Sequence, residues 1–221
     1  MKKLLFLPMV LAVAISCFGD TQYNNYTGYN PYWHPLGYPN TATYGETFTA
    51  PTNGDNVLQN FSFWMGGPYQ SGDIILGAYI ATWTGSHAGT LLYSSSSVDY
   101  QNTGEANLSF TIPGGLALTP GANYVMFLSI SQYYGQSQGE SYIDAGDHTI
   151  PGGAFVYYNN GGDFNGLFTN NWDATGLTPD WAVTLDFNAG GGGGVPEPAS
   201  LFLMGSGLLG AVGAIRRKLN K

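Results

Sequence analysis

Apolar residues recur at every second position in several short runs of this chain. Phe61, Phe63 and Met65 form one such row, and Leu108, Phe110 and Ile112 a second. Tyr124, Met126, Leu128 and Ile130 form a third, and Val183, Leu185 and Phe187 a fourth. A period of two puts alternate side chains on opposite faces of an extended backbone, so each run predicts a half-buried β-strand. Asp73 to Trp83 is apolar on both faces and reads as a longer strand. Turn residues separate the runs: Gly66-Gly67-Pro68, Pro113-Gly114-Gly115, Pro120-Gly121, Pro151-Gly152-Gly153 and Gly161-Gly162. Pro120-Gly121 suits the two central positions of a type II turn, whose second residue takes a positive φ. Nothing between Asp20 and Ala189 repeats with helical period between caps. The pattern predicts an all-β fold, with eight to ten short strands in an antiparallel β-sandwich of jelly-roll type.

Composition narrows the set of partners. Charged residues are 9% of the chain, whereas Gly, Tyr and Phe are abundant, as expected of strands joined by turns. All six bases lie at the ends: Lys2, Lys3, Arg216, Arg217, Lys218 and Lys221. Of the fourteen acids only Glu197 lies outside 20–195, so that stretch carries thirteen acids and no Lys or Arg. It forms no Lys or Arg salt bridge, and it repels nucleic acid and anionic lipid, whose binding depends on cationic side chains. No nucleic-acid partner is expected; neutral sugars, cations and protein surfaces remain.

The two ends read as addresses. Lys2 and Lys3 precede an apolar run from Leu4 to Ile15, and small residues follow at Ser16, Cys17 and Gly19, the three parts of a secretory signal helix. Cleavage after Gly19 gives a mature chain from Asp20 and removes the single cysteine. Lipidation of Cys17 within Ala14-Ile15-Ser16-Cys17 is the alternative. Neither route leaves a cysteine pair, so the core must supply stability without disulfides. At the far end five glycines, Gly190 to Gly194, mark a linker. Pro196, Glu197 and Pro198 follow, then Ala199 to Ile215 without a charge, then Arg216, Arg217 and Lys218. Those 17 residues span about 26 Å as a helix, at the short end for a bilayer crossing. Basic clusters stay in the cytoplasm, which places everything between Lys3 and Arg216 across the membrane.

A Pro-Glu-Pro motif, an apolar helix and an Arg-rich end together resemble the PEP-CTERM sorting tail of exported proteins in many Gram-negative bacteria. The resemblance covers Val195 to Lys221. It implies a sorting motif of Pro196, Glu197, Pro198, Arg216, Arg217 and Lys218, read by an exosortase that cuts near the prolines. The partners it implies are the Sec export machinery, signal peptidase and exosortase during processing, the inner membrane before cleavage, and exopolysaccharide or biofilm afterwards. An uncleaved C-terminal anchor is the plainer alternative. Phe110 to Leu128, with its Thr119-Pro120-Gly121 turn, also resembles the strand-turn-strand of jelly-roll domains found before such tails. The expected organisation is a signal peptide at 1–19, an extended arm at 20–41, a sandwich at 42–189, a linker at 190–194 and the tail at 195–221, with its transmembrane helix at 199–215 and basic end at 216–221.

Candidate chemistry in the domain is sparse. Asn160, Asp163 and Asn165 sit on a glycine-bent loop and are candidate Ca²⁺ ligands, against the reading of an ordinary turn. Asp144, Asp147 and His148 are a weaker metal set. Tyr133, Tyr134 and Trp172 lie in polar surroundings and are the aromatic residues expected to be exposed for sugar contact, whereas Trp33, Trp64, Trp83 and Trp181 are expected to pack inside. Ser86-His87 lacks the G-x-S-x-G elbow, and the histidines at 34, 87 and 148 form no H-E-x-x-H site. The expectation is therefore an exported, non-enzymatic envelope or matrix protein without a cofactor, and the alternative is a carbohydrate-binding module with a defined sugar or Ca²⁺ site.

Overall fold

Alternation along the chain becomes two stacked antiparallel sheets. The computed structural model describes residues 20–173 and 179–189. In chain order the strands are β1 (Thr21–Asn24), β2 (Pro31–Gly37), β3 (Thr43–Thr49), β4 (Val57–Gln70), β5 (Ile74–Trp83), β6 (Ala88–Ser94) and β7 (Val98–Tyr100). They continue with β8 (Glu105–Ala117), β9 (Asn123–Ser129), β10 (Glu140–Gly146), β11 (Phe155–Tyr158), β12 (Asp180–Trp181) and β13 (Val183–Asn188). One sheet runs β1-β13-β4-β10-β12, with β2 also paired to β10 and β8 to β4. The other runs β11-β3-β9-β5-β6, with β7 also paired to β5. The signal helix at 1–19 and the transmembrane helix at 199–215 lie outside the described residues.

The predicted rows are the inner faces. Phe61, Phe63 and Met65 of β4, Phe110 and Ile112 of β8, Tyr124, Met126 and Leu128 of β9, and Val183, Leu185 and Phe187 of β13 share one buried core between the sheets. The Pro120-Gly121 turn forms as its residues dictate: Ala122 N–H donates to Thr119 O at 3.1 Å and Gly121 takes φ +73°. A second, smaller core covers the outer face of the β5–β9 pair. There Tyr79, Ala81, Val125 and Phe127 pack beneath Val156, Leu167 and Trp172, which explains why β5 and β9 are apolar on both faces.

Strands number thirteen among the described residues, more than the eight to ten expected. Residues 20–41, read as an arm, contribute β1 and β2. Asn25 pins this segment: Val183 N–H donates to its Oδ1 at 2.7 Å, and its Nδ2 donates to Trp181 O at 2.9 Å. β4 is the long strand of its sheet and changes partner midway. Along one edge Val57–Phe63 pairs with β13 and Met65–Gln70 with β10, while β8 occupies the other edge as far as Gly66. Trp181 fills the junction, donating its indole N–H to Trp64 O at 2.8 Å. This change of partner separates β10 from β13 and places the surface described next.

Candidate functional site

The residues singled out in the sequence do not form one site. Trp172 is 4% exposed, not surface-exposed as expected: its indole donates to Leu167 O at 2.9 Å and its ring packs edge-on against Phe127 at 5.3 Å. The segment after β11 folds back over the second sheet and carries Trp172 into the smaller core. Tyr133 and Tyr134 are half-buried at a 3-10 turn, Ser131–Tyr133. The Tyr134 hydroxyl donates to Pro39 O at 3.0 Å and its ring meets Tyr38 edge-on. Trp33's side chain lies outside what the structure describes.

In the candidate calcium loop the side chains are engaged in closing the turn. Asn160 Nδ2 donates to Ser131 Oγ at 2.6 Å and to Asp163 O at 2.8 Å, and its Oδ1 accepts from Thr43 Oγ1 at 2.9 Å. Asp163 Oδ1 accepts from Gly166 N–H at 3.0 Å. Asn165 begins the 3-10 turn Asn165–Phe168 and is exposed. Among the described residues no group of three or more His, Cys, Asp and Glu is arranged to hold a metal ion, the set Asp144, Asp147 and His148 included. His148 Nδ1 instead meets Asp180 Oδ2 at 2.7 Å.

Two buried acids, Glu46 and Asp144, have no Lys or Arg within residues 20–195 to pair with. Glu46 lies on β3 between Tyr44 and Phe48, facing the core. Its Oε2 accepts from Trp181 N–H at 3.1 Å and its Oε1 has no partner. Burial, with Asp180 nearby, holds this carboxyl well above the usual glutamate range. Asp144 on β10 has neither oxygen bonded; burial first, and then the Glu105 carboxylate, push it up to about 6.

Above Asp144 lies a cleft of about 490 Å³ lined by Tyr29, Pro31, Gly66, Gly67, Pro68, Gly104, Glu105 and Tyr142. The outward positions of β4, β8 and β10 form its base, and the segment between β1 and β2 forms one wall. Gly66 is tightly enclosed: a Cβ there would stand 3.0 Å from Asp144 Oδ1 and 3.1 Å from both Pro31 and Tyr142. Outward-facing Trp64, next along β4, is covered by Tyr26, whose ring stacks on it at 3.9 Å and 6°. The Tyr26 hydroxyl donates to Glu105 Oε1 at 2.5 Å, and that carboxylate pushes the phenol up to about 12. Tyr142 meets Tyr69 edge-on at 5.3 Å, and Tyr29 and Tyr69 are 58% and 53% exposed. The one sequence signal for this cluster is Trp64 itself, an indole on the solvent phase of the Phe61-Phe63-Met65 row.

No curated protein is found similar to this chain. Among solved structures, the crystal structure of the cysteine protease and lectin-like domains of Cwp84, a surface layer associated protein of Clostridium difficile, is 11% identical, with a TM-score of 0.41. The match covers 68% of this chain and 32% of that one, so the chain spans about a third of that length, a likeness too slight to bear on function. The C-terminal segment is different in kind: residues 194–218 match the family described as the PEP-CTERM protein-sorting motif, and the chain carries that sorting motif behind a β-rich, sandwich-like domain.

Proposed function

We propose that the protein is an exported, non-enzymatic component of the Gram-negative cell envelope or extracellular matrix, whose acidic sandwich is displayed in contact with exopolysaccharide. The observation that carries this reading is the sorting motif at residues 194–218. In this reading Lys2, Lys3 and the apolar run after them direct Sec export, and signal peptidase cuts after Gly19. The helix over 199–215 then holds the chain in the inner membrane with Arg216, Arg217 and Lys218 in the cytoplasm, until exosortase cuts near Pro196, Glu197 and Pro198. The prolines suit that step chemically, because they withhold backbone N–H groups and favour an extended segment that a protease groove accepts. The sandwich, read as a jelly roll, is the part delivered. Its lack of Lys and Arg between residues 20 and 195 keeps it off the anionic membrane surface.

Intact-mass measurement on protein recovered from the cell surface and from the medium of the native host tests this reading. The expected mass is that of a chain from Asp20 to the neighbourhood of Pro196–Pro198. A mature chain still ending at Lys221 overturns exosortase cleavage, and a lipidated chain beginning at Cys17 replaces simple signal-peptide removal.

A further inference from the structure

Three separated stretches gather around one exposed carboxylate, Glu105. Trp64 on β4 carries the Tyr26 ring, Tyr26 holds Glu105 at the start of β8, and Tyr142 on β10 stands across the cleft. A hydrogen bond this exposed to water adds little to folding stability. What the arrangement does achieve is orientation. Glu105 Oε1 is held by Tyr26, which restrains the carboxylate at the cleft edge, while no other protein group among the described residues hydrogen-bonds the side chain. Beside it, Tyr29 is left more than half exposed on the cleft wall, with Tyr69 equally exposed behind Tyr142. Large apolar faces in water beside a fixed hydrogen-bond acceptor, in a concavity of this volume, are the makings of a small-molecule site, for which about 300–1,000 Å³ is usual.

The chemistry of the lining selects the ligand. Tyrosine rings offer flat apolar faces that match the C–H face of a pyranose and leave the hydroxyl groups at its edge free to hydrogen-bond. Glu105 accepts from such hydroxyls, and an ionised acceptor makes the stronger kind of bond. Anionic sugars are disfavoured: Glu105 lines the cleft, Asp144 lies directly behind Gly66, and no Lys or Arg occurs between Lys3 and Arg216 to offset them. We propose that this cleft binds a neutral glycan, one ring stacked between Tyr29 and Tyr142 and its hydroxyls donating to Glu105. The inference rests on the envelope reading only for which glycans the site meets; its chemistry is independent of how the tail is processed.

Calorimetric titration of the full-length chain in detergent tests it, with cellohexaose, laminarihexaose, xylohexaose, mannohexaose and maltohexaose as neutral probes and trigalacturonate as an acidic one. Saturable binding of at least one neutral probe is expected, with trigalacturonate binding at least about tenfold more weakly. Glu105→Gln, which keeps the shape and removes the charge, weakens the neutral probe about tenfold while leaving the unfolding temperature unchanged. Tyr29→Ala, on an exposed loop, weakens it similarly, and Tyr133→Ala leaves it unaltered. No saturable neutral binding up to about 5 mM overturns the proposal, as does binding that neither Glu105→Gln nor Tyr29→Ala changes, or trigalacturonate binding as tight as the neutral probes. Absence of binding here, with native-host protein found cleaved at both ends, rejects the cleft alone; binding here, with native-host protein found to end still at Lys221, rejects the sorting alone.

Discussion

Replacing Glu46 by Gln isolates the cost of an acid inside the sandwich. The side chain is fully buried, its Oε2 accepts one backbone N–H from Trp181, and its Oε1 has no partner. Burial and neighbouring Asp180 raise the carboxyl well above its ordinary value of 4.5. The folded protein therefore keeps a proton on Glu46 that the unfolded chain releases once pH passes about 4.5. With more protons bound in the folded state, stability falls as pH rises through that window, and the loss is complete above the raised folded value. Glutamine is a neutral isostere that retains the Trp181 contact and has nothing to titrate. At pH 4, below that window, wild type and variant should therefore unfold within about 0.5 kcal/mol of each other. At pH 8 the variant should be more stable by at least about 1 kcal/mol, the linkage cost of a carboxyl whose proton the unfolded chain has released. Urea unfolding followed by tryptophan fluorescence is the assay, urea being uncharged and Trp181 in direct contact with the site. Asp144 and Asp180 are also raised and tilt both curves in the same direction, so the difference between the proteins carries the test. Equal differences at the two pH values, or a variant less stable at pH 8, would refute the reasoning.

Two further substitutions test the packing. Trp172→Ala empties a buried position against Phe127 and strands the Leu167 carbonyl, so a loss of about 3–5 kcal/mol in thermal unfolding is expected, with glycan titration unchanged. Asn102 takes φ +49° and its Nδ2 donates to Gln70 O at 2.9 Å and Glu140 O at 3.0 Å, tying the end of β4 to the start of β10. Asn102→Ala should cost about 2–3 kcal/mol, read as a lower urea midpoint with an unchanged slope.

The core was readable from the chain because period-two rows that face a partner sheet leave their mark at adjacent positions. Phe61-Phe63-Met65 and Val183-Leu185-Phe187 needed only alternation to be placed, and Pro120-Gly121 needed only the φ preferences of its two residues. Trp172 went the other way. Its neighbours Asn170, Asn171 and Asp173 are polar, and nothing local reveals that the segment folds back over the second sheet; the sign lay far off, in the doubly apolar faces of β5 and β9. The short strands of residues 20–41 were hidden because Asn25 and Tyr23 find their partners near residue 183 and at Phe187, more than 150 positions away. The cleft was hidden for the same reason: Tyr26, Trp64, Glu105 and Tyr142 have no spacing in common. The one local sign was Trp64, out of phase with its row, and it was read as a core residue.

The register of β4 also fixes how the domain takes tension. Its first residue, Val57, pairs with Asn188, the last residue of β13, so the chain beyond Ala189 departs from that end of the sheet. The cleft lies at Gly66 and Gly67, ten residues further along β4 and about 33 Å away at strand rise. A pull between whatever occupies the cleft and the chain beyond Ala189 therefore runs lengthwise along two neighbouring antiparallel strands. The β4–β13 ladder is loaded in shear, its bonds sharing the force together. A handle at Thr21, which sits opposite Phe187, would act at the same end as the exit and open β1 from β13 one rung at a time. The same sandwich is thus mechanically stiff for a load between cleft and tail and weak for one applied across its two termini.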